Sequence, residues 1–450
     1  MVNKAMEGRP RRVYRRDWPG FLNRVIPASV WQAFVAQVEQ SRDPRLRWSA
    51  KYIVMAWMLM GWSLQGQLTE RFREAGEFLR ASFPCRRRSG KSYQGLTQAT
   101  RRLGPNVFHR FWECLRPTIP KRIGQAWTWF GWVVMAVDGS RIDAPRTRRN
   151  EKALRRAGRD KTHPQWWITW ITHLPTNLIW DWRKGPGNSA ERVHLRQMIG
   201  SLPKPLLLVA DAGFGGFDLL SKLARAKIDF LIRCGANTTL LVEGACQRMM
   251  REGGQQYVYL WPKHRRRKKP LRLRLIVLKR RGKRVYLLTN VLESTRLSRP
   301  MASKIYAARW GVETEYRALK QTMGRRKVLA KTPGPGAMEL AGNILALAML
   351  MLQAAIVLAE RITRLSVALA LKVIRQAIEC VRWIGRCRQF WAYLRAAVRD
   401  EYRRHSSKRA RDWPHKKKDA PPGSPQLRRL NRQEKAQIER LWSDYATLSG

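Results

Sequence analysis

Cysteine and acidic residues are both scarce in this 450-residue chain. The six cysteines form no Cys-x-x-Cys pair, which argues against a zinc site, and a chain of this size needs no disulfide framework. Asp and Glu total 32 against 89 Lys and Arg, so the formal net charge is +57. No apolar run follows the basic N-terminal residues, so the pattern predicts no signal peptide.

The excess of positive charge predicts a polyanionic partner, with nucleic acid ahead of an anionic membrane surface. A ribosomal or packaging role does not fit a chain with 44% apolar residues and 20 tryptophans. Residues 340–359 have the length of a membrane span. Asn343 and Gln353 interrupt this run and no second span accompanies it, so a buried core helix is favoured over an anchor.

Apolar periodicity divides the chain into four parts. Residues 1–125 read as helical, with a weak helix-turn-helix pattern around Gly104 and Pro105. Residues 126–330 read as three strands, a helix, a strand, a helix and a strand, which predicts a mixed sheet flanked by helices. Within them, a β-only pattern at about 237–292 predicts an inserted meander. Residues 331–400 read as helical, and residues 401–450 as a basic, largely disordered tail.

Two aspartates occupy equivalent places in this pattern. Asp138 and Asp211 each stand at the C-terminal end of a predicted apolar strand. A carboxylate there is held on rigid backbone, at the sheet edge where ligands usually bind. Because aspartate also begins turns, an Asx turn is the alternative at either position.

The window 306–320, YAARWGVETEYRALK, carries a third carboxylate in a basic frame. At helical spacing Tyr306, Glu313 and Lys320 lie on one face, with Arg309 and Arg317 beside them. This set suits a metal ligand that also holds a phosphate backbone. The alternative is an exposed helix with a Glu313–Arg317 pair.

Together, Asp138, Asp211 and Glu313 suggest a three-carboxylate cluster. Oxygen-only ligation selects Mg²⁺ or Mn²⁺. Two such ions about 4 Å apart can activate a hydroxyl nucleophile and stabilise the leaving oxygen of a phosphodiester. Glu315 should face away, because it lies on the opposite side of the helix from Glu313.

These motifs resemble the DDE transposases of the insertion-sequence-four type. The spacing of Tyr306, Arg309, Glu313 and Lys320 is similar to the Y-R-E-K signature of that family, while VDGS and VADAGF resemble the motifs of its two aspartates, here Asp138 and Asp211. The resemblance covers roughly residues 127–330. Family members often carry an arginine after the second aspartate, where this chain has Ala212, so one phosphate contact is missing.

The resemblance implies an α/β fold: an RNase H-like mixed-sheet core with a β-rich insertion, flanked by N- and C-terminal helical regions. It implies a DDE-type enzyme that cleaves and joins DNA at transposon ends, with residues 1–125 as a DNA-binding region. The metal ligands implied for two Mg²⁺ or Mn²⁺ ions are Asp138, Asp211 and Glu313, and the DNA- or phosphate-binding residues are Tyr306, Arg309, Arg317 and Lys320.

The implied partner is double-stranded DNA, both transposon ends and target, bound by a dimer. The implied location is the bacterial cytoplasm, at the nucleoid when DNA is bound, without membrane association. Three alternatives remain: an inactive domesticated DNA-binding protein, an RNase H-like nuclease, and a basic membrane-associated protein anchored by residues 340–359. The intact acidic triad argues against the first.

Overall fold

The computed structural model describes residues 17–39, 47–83, 90–155, 163–244, 247–280, 283–358, 366–384, 387–397 and 423–446. Within these residues ten strands form one sheet. The strands are β1 (Val133–Asp143), β2 (Gln165–His173), β3 (Leu178–Pro186), β4 (Leu206–Ala210), β5 (Asp229–Cys234), β6 (Thr239–Val242), β7 (Gly254–Leu260), β8 (Leu271–Arg280), β9 (Lys283–Thr289) and β10 (Gln426–Arg429).

The helices lie before, between and after these strands. They are α1 (Trp18–Val25), α2 (Ala28–Val38), α3 (Ala50–Trp62), α4 (Leu68–Ser82), α5 (Tyr93–Arg102), α6 (Val107–Leu115), α7 (Ile119–Ile123), α8 (Arg148–Leu154), α9 (Glu191–Met198), α10 (Phe217–Arg225), α11 (Gln247–Glu252), α12 (Arg299–Ala308), α13 (Trp310–Arg317), α14 (Pro333–Val357), α15 (Val367–Ile384), α16 (Phe390–Ala397) and α17 (Arg432–Ala446).

The first five strands form the part of the sheet that the sequence marks most clearly. They lie in the order β3-β2-β1-β4-β5. β1 is antiparallel to β2, and β2 to β3, whereas β1, β4 and β5 are mutually parallel neighbours. All five residues of β4 and the first five of β1 are buried, as expected for strands covered on both faces. The RNase H-like mixed sheet is therefore confirmed.

The inserted strands extend this sheet instead of forming a separate one. β9 pairs antiparallel with β5, and β8, β7 and β6 follow outward from it. Basic turns join the apolar strands, as the alternation of the sequence predicts. The insertion thus continues the sheet of β1 to β5 outward from β5, the strand that follows α10.

The N-terminal helices pack around aromatic side chains. Trp18 is fully buried and lies 5.1 Å from Phe78 and 5.2 Å from Phe390, measured between ring centroids. α6 is held against β3, because Trp112 donates its indole N–H to the Trp180 carbonyl at 2.7 Å. The second helix of the helix-turn-helix pattern is thus tied to β3, while Phe111 stacks on Trp31 of α2 at 4.8 Å between ring centroids.

Helix α14 contains most of the segment that resembles a membrane span, and 89% of its most apolar window is buried in the protein. Its polar residues have partners inside the core: Gln353 Oε1 accepts from the Trp18 indole at 3.0 Å. α3 crosses α14 closely, since a Cβ placed on Gly61 would lie 2.4 Å from the Ala346 Cβ. The structure agrees with the interpretation as a buried core helix.

The C-terminal segment corrects one prediction. The predicted disorder of residues 401–450 is wrong for residues 426–446, where β10 pairs in parallel with β6 and α17 follows. The tail has few apolar residues, but some of them, such as Ile438, are buried and hold α17 against the rest of the protein. Residues 398–422 and 447–450 lie outside the described residues.

Candidate active site

The two aspartates lie on neighbouring parallel strands. Ala136 of β1 is in register with Val209 of β4, so Asp138 and Asp211 stand two residues further along at the same level. Asp211 directly follows β4, as predicted. β1, however, continues to Asp143, so the prediction that the strand ends at Asp138 is wrong. Burial stops at Asp138, but backbone pairing with β2 does not.

Local hydrogen bonds orient both carboxylates. Asp138 Oδ1 accepts from the Gly139 N–H at 2.9 Å, and Asp211 Oδ1 accepts from the Gly213 N–H at 2.8 Å. The bond at Asp211 has the two-residue reach of an Asx turn. The turn alternative at Asp211 is thus correct as geometry, and it fixes the carboxylate at the end of β4.

The segment with the third carboxylate is interrupted, contrary to the single continuous helix predicted for it. α12 ends at Ala308, α13 begins at Trp310, and residues 318–322 form a π-helical turn. Such wide turns occur mostly as short bulges, frequently at functional sites. The charge of Glu313 nonetheless acts on Asp138 and helps to raise its pKa.

Arg309 occupies the break between α12 and α13. Its guanidinium lies 3.4 Å from Glu313 Oε1 and 5.7 Å from the centroid of the Tyr306 ring. Arg309 is buried, whereas the Glu313 side chain is 38% exposed. The cation therefore backs the carboxylate from inside the protein and leaves the carboxylate accessible.

Lys320 reaches across to the first strand. Its Nζ donates to Ser140 Oγ at 2.7 Å, which places the ammonium two residues from Asp138. Burial lowers the pKa of Lys320, and the nearby Asp143 and Asp138 oppose that shift. Arg317 is exposed. The structure therefore brings Lys320 to the carboxylates and leaves Arg317 at the protein surface.

Tyr306 and Trp310 differ in exposure. Tyr306 is only 7% exposed, and burial raises its pKa. Trp310 is 58% exposed, with the Arg309 guanidinium 5.4 Å from its ring centroid. The accessible aromatic beside Glu313 is therefore Trp310, which the helical-stripe reasoning passed over because it is off the seven-residue repeat.

A fourth carboxylate, Glu191, joins the site without any sequence signal. It is the first residue of α9. A Cβ placed on Gly139 would lie 2.3 Å from Glu191 Oε1, and one on Gly213 would lie 3.0 Å from Asp211 Oδ1 and 3.8 Å from Glu191 Oε2. The two glycines thus make room for Glu191 between the strands that carry the aspartates. An acidic first turn is ordinary in helices, so the sequence could not single this residue out.

Two of the carboxyl groups, those of Asp138 and Glu191, have a raised pKa. Burial raises the pKa of Asp138 to about 6, and repulsion from Asp211 and Glu313 acts in the same direction. Burial likewise raises the pKa of Glu191 to about 7, with further contributions from Asp138 and Asp211. Crowded carboxylates of this kind favour a bound cation that relieves their repulsion.

The donor set fits a hard divalent cation by its chemistry, since every carboxylate supplies oxygen only. In the part of the chain that the structure describes, no three Asp, Glu, His or Cys side chains are already grouped tightly enough to hold a metal ion. The side chains of Glu313 and Glu191 reach the site from helices, so their rotamers can adjust while the aspartates stay on the sheet.

Two neighbours of Glu313 face the other way and support the first strand. Tyr316 stacks on Trp170 at 3.8 Å between ring centroids and donates its hydroxyl to the Asp138 carbonyl at 2.8 Å. Glu315 is buried and accepts from Thr172 Oγ1 at 2.8 Å. The prediction that Glu315 faces away from Glu313 is confirmed, and burial raises its pKa well above the usual range.

The chain resembles known transposases over the region that carries these residues. A family model described as "Transposase DDE domain" matches residues 129–349, which include β1 and extend into α14. Transposase InsG for insertion sequence element IS4, from Escherichia coli, is 26% identical over 262 residues. That match covers 54% of this chain and 56% of the relative, so it spans about half the length of the curated protein.

The comparison with solved structures also matches a transposase. A chain in the cryo-EM structure of the piggyBac transposase synaptic complex with hairpin DNA has a TM-score of 0.42 and 11% identity. The alignment covers 89% of this chain and 90% of that one.

Proposed function

We propose that this protein is a DDE-type DNA transposase that cleaves and joins phosphodiesters at transposon ends. The observation that supports the proposal is the position of Asp138 and Asp211 at the same level of two neighbouring parallel strands, with the charge of Glu313 contributing to the raised pKa of Asp138. The family match over residues 129–349 and the transposase relative support the same reaction class.

The ligands of the metal ions are Asp138, Asp211 and Glu313, with Glu191 beside them. When bound, a pair of Mg²⁺ or Mn²⁺ ions would activate the attacking hydroxyl and stabilise the leaving oxygen. The protein's own part is to fix the aspartates on the sheet through the Gly139 and Gly213 N–H groups. Such local bonds hold reacting groups in position before DNA arrives.

The cations around Glu313 bind the DNA backbone in this proposal. Lys320 and Arg309 lie beside the carboxylates, and Arg317 is available at the surface of the same segment. Tyr306 holds Arg309 in place from the interior, and Trp310 offers an exposed ring for stacking on a base. The partner is double-stranded DNA of the transposon ends and target, bound by a dimer in the bacterial cytoplasm.

The phosphate contacts predict a specific loss of cleavage. Lys320→Ala should lower end cleavage by about 1–3 kcal/mol, because it removes a charged hydrogen bond near the scissile bond. Arg309→Ala should also lower it, because Glu313 then loses the buried cation behind it. The matched control is Lys304→Ala, which removes one exposed cation from α12. Single-turnover cleavage of labelled end DNA gives the comparison. Equal rates for Lys320→Ala and Lys304→Ala would remove Lys320 from the DNA contact.

The two aromatic residues should respond in opposite ways. Tyr306→Ala should lower the free energy of unfolding by about 3–5 kcal/mol, as for other large buried side chains, while Tyr306→Phe should change little. Trp310→Ala should leave the melting temperature unchanged and weaken end binding by about 1–3 kcal/mol through lost stacking. Thermal melts without DNA, followed by binding titrations, test both. If Tyr306→Ala is as stable as wild type but does not cleave the ends, Tyr306 itself contacts DNA.

A joining assay separates the candidate activities. The protein is incubated with Mg²⁺, a labelled DNA that carries the inverted repeats flanking its own gene, and a target plasmid. A transposase gives cleaved ends joined to the plasmid. Cleavage without joining identifies an RNase H-like nuclease, and binding without cleavage identifies an inactive DNA-binding protein.

A further inference from the structure

A basic cavity of about 1000 Å³ lies between α10, the loop joining β7 to β8, and α17. Seven of its fifteen lining residues are Lys or Arg, and only Asp218 is acidic. We call this cavity the insertion groove, because the β7–β8 loop of the insertion supplies four of its lining residues, 267–270, and β8 supplies Leu271 and Arg272. Its surface charge is therefore strongly positive.

The single carboxylate of the insertion groove is already neutralised. Arg265 donates to Asp218 Oδ2 at 2.8 Å, and this bond lowers the pKa of Asp218. The exposed cations Lys222, Arg267 and Lys268 thus face the groove without an acidic residue to balance them there. Ser221 Oγ also lines the groove, is buried, and has no hydrogen-bond partner in the described structure.

The C-terminal segment forms one wall of the groove through specific contacts. Glu434 of α17 pairs with Arg266 at 3.0 Å, and Gln437 donates to the Arg266 carbonyl at 3.2 Å. Lys269 Nζ lies 3.9 Å from the ring centroid of Trp442, which remains 39% exposed. The wall is anchored to the insertion while it keeps an aromatic surface open.

Helix α9 connects the insertion groove to the candidate active site. Glu191 at its start lies beside the aspartates, and Arg192 donates to the Gly213 carbonyl at 2.7 Å. Arg196, one turn further on and on the same side of the helix as Arg192, lines the groove. One helical turn advances about 5.4 Å, so basic side chains continue from the carboxylates toward the groove.

We propose that the insertion groove binds the DNA backbone on one side of the scissile phosphate, as a second contact distinct from the Arg309–Lys320 contacts. Unbalanced cations on a concave surface suit successive phosphates, and Trp442 suits a sugar or base face. This proposal rests on the proposed transposase function, because it takes the bound polyanion to be the DNA under reaction.

The test uses binding instead of cleavage, so that its failure differs from failure of the proposed function. Full-length protein carrying Glu313→Gln serves as the parent. The groove variant adds Lys222→Ala, Arg267→Ala and Lys268→Ala. The control variant instead adds Lys372→Ala, Arg388→Ala and Arg395→Ala, which remove the same charge from exposed positions outside the groove. Melting temperatures establish that each variant is folded. If the triple groove variant is not folded, the single variant Lys268→Gln replaces it.

Fluorescence anisotropy measures the dissociation constant for inverted-repeat DNA between 50 and 200 mM salt. Three duplexes are compared: one that ends at the scissile bond, and two that extend past it on one side or the other. Three lost phosphate contacts should reduce the slope of log affinity against log salt by about 3, and weaken binding of one extended duplex at least about tenfold. The control variant should match the parent. The proposal is overturned if the groove and control variants lose DNA affinity equally, or if the affinity loss does not depend on DNA length. It is also overturned if inorganic phosphate alone competes with DNA equally well for the parent and the groove variant.

Discussion

Asp138→Asn, Asp211→Asn and Glu313→Gln should each reduce strand transfer to an undetectable level while the protein stays folded and still binds DNA. Each substitution removes a negative charge from the coupled carboxylates and keeps the side-chain shape. The amide oxygen of Asn can still accept the Gly139 or Gly213 N–H, so the strand ends should be unchanged. A joining assay in Mg²⁺ measures the loss, and Mn²⁺ binding followed by paramagnetic resonance reports the site directly.

Glu315→Gln provides the control for this experiment. Glu315 is two residues from Glu313, but it is buried against Thr172, and burial raises the pKa of its carboxyl well above the usual range. Glutamine keeps the size and shape of this side chain, which faces away from Glu313, so joining and Mn²⁺ binding should stay close to wild type. If an Asp138, Asp211 or Glu313 variant joined DNA as well as Glu315→Gln does, that residue would not be a metal ligand.

Gly139→Ala should impair the same reaction without a change at any proposed metal ligand. The added Cβ would lie 2.3 Å from Glu191 Oε1, so the flexible glutamate must move while the strand stays in place. Loss of an outer contact at a metal site typically costs about 10- to 100-fold in affinity or activity. We expect a decrease of that size in both Mn²⁺ affinity and joining, with little change in the melting temperature.

Two further variants decide whether Glu191 is the cause. Glu191→Gln should reproduce the Gly139→Ala defect, and the double variant should be little worse than either single one, because both remove the same interaction. Gly200→Ala is the control, since a Cβ there meets nothing within 4 Å. Normal Mn²⁺ binding and joining in Glu191→Gln would show that the fourth carboxylate is not needed.

The sequence predicts the central strands well because their signal is burial on both faces. The apolar runs before Asp138 and Asp211 identify β1 and β4, and their parallel pairing then brings the two aspartates together. The sequence pattern does not show that β1 continues to Asp143. Residues 139–143 stay in the sheet through backbone pairing with β2, and such pairing needs no continuous run of apolar residues.

Other features depend on contacts between distant segments. The break at Arg309 escapes prediction because the apolar periodicity continues on both sides of it. Glu191 reaches the site only because α9 packs beside β1, and no pattern in the sequence around Glu191 predicts that packing. The stripe of residues 306–320 therefore predicts Glu313 and Lys320 at the site, but it does not single out Trp310, the exposed aromatic of this segment.

The pairing of β10 with β6 joins residues that are almost two hundred positions apart: Gln426 is in register with Thr239. β6 is the outermost strand of the insertion until the C-terminal segment arrives, so its outer N–H and C=O groups stay unpaired during most of synthesis. Exposed edge strands with unpaired backbone groups can pair with strands of other chains and promote aggregation. A copy that ends before Gln426 keeps that strand edge unpaired, so residues 426–446 protect against self-association and also form a wall of the groove.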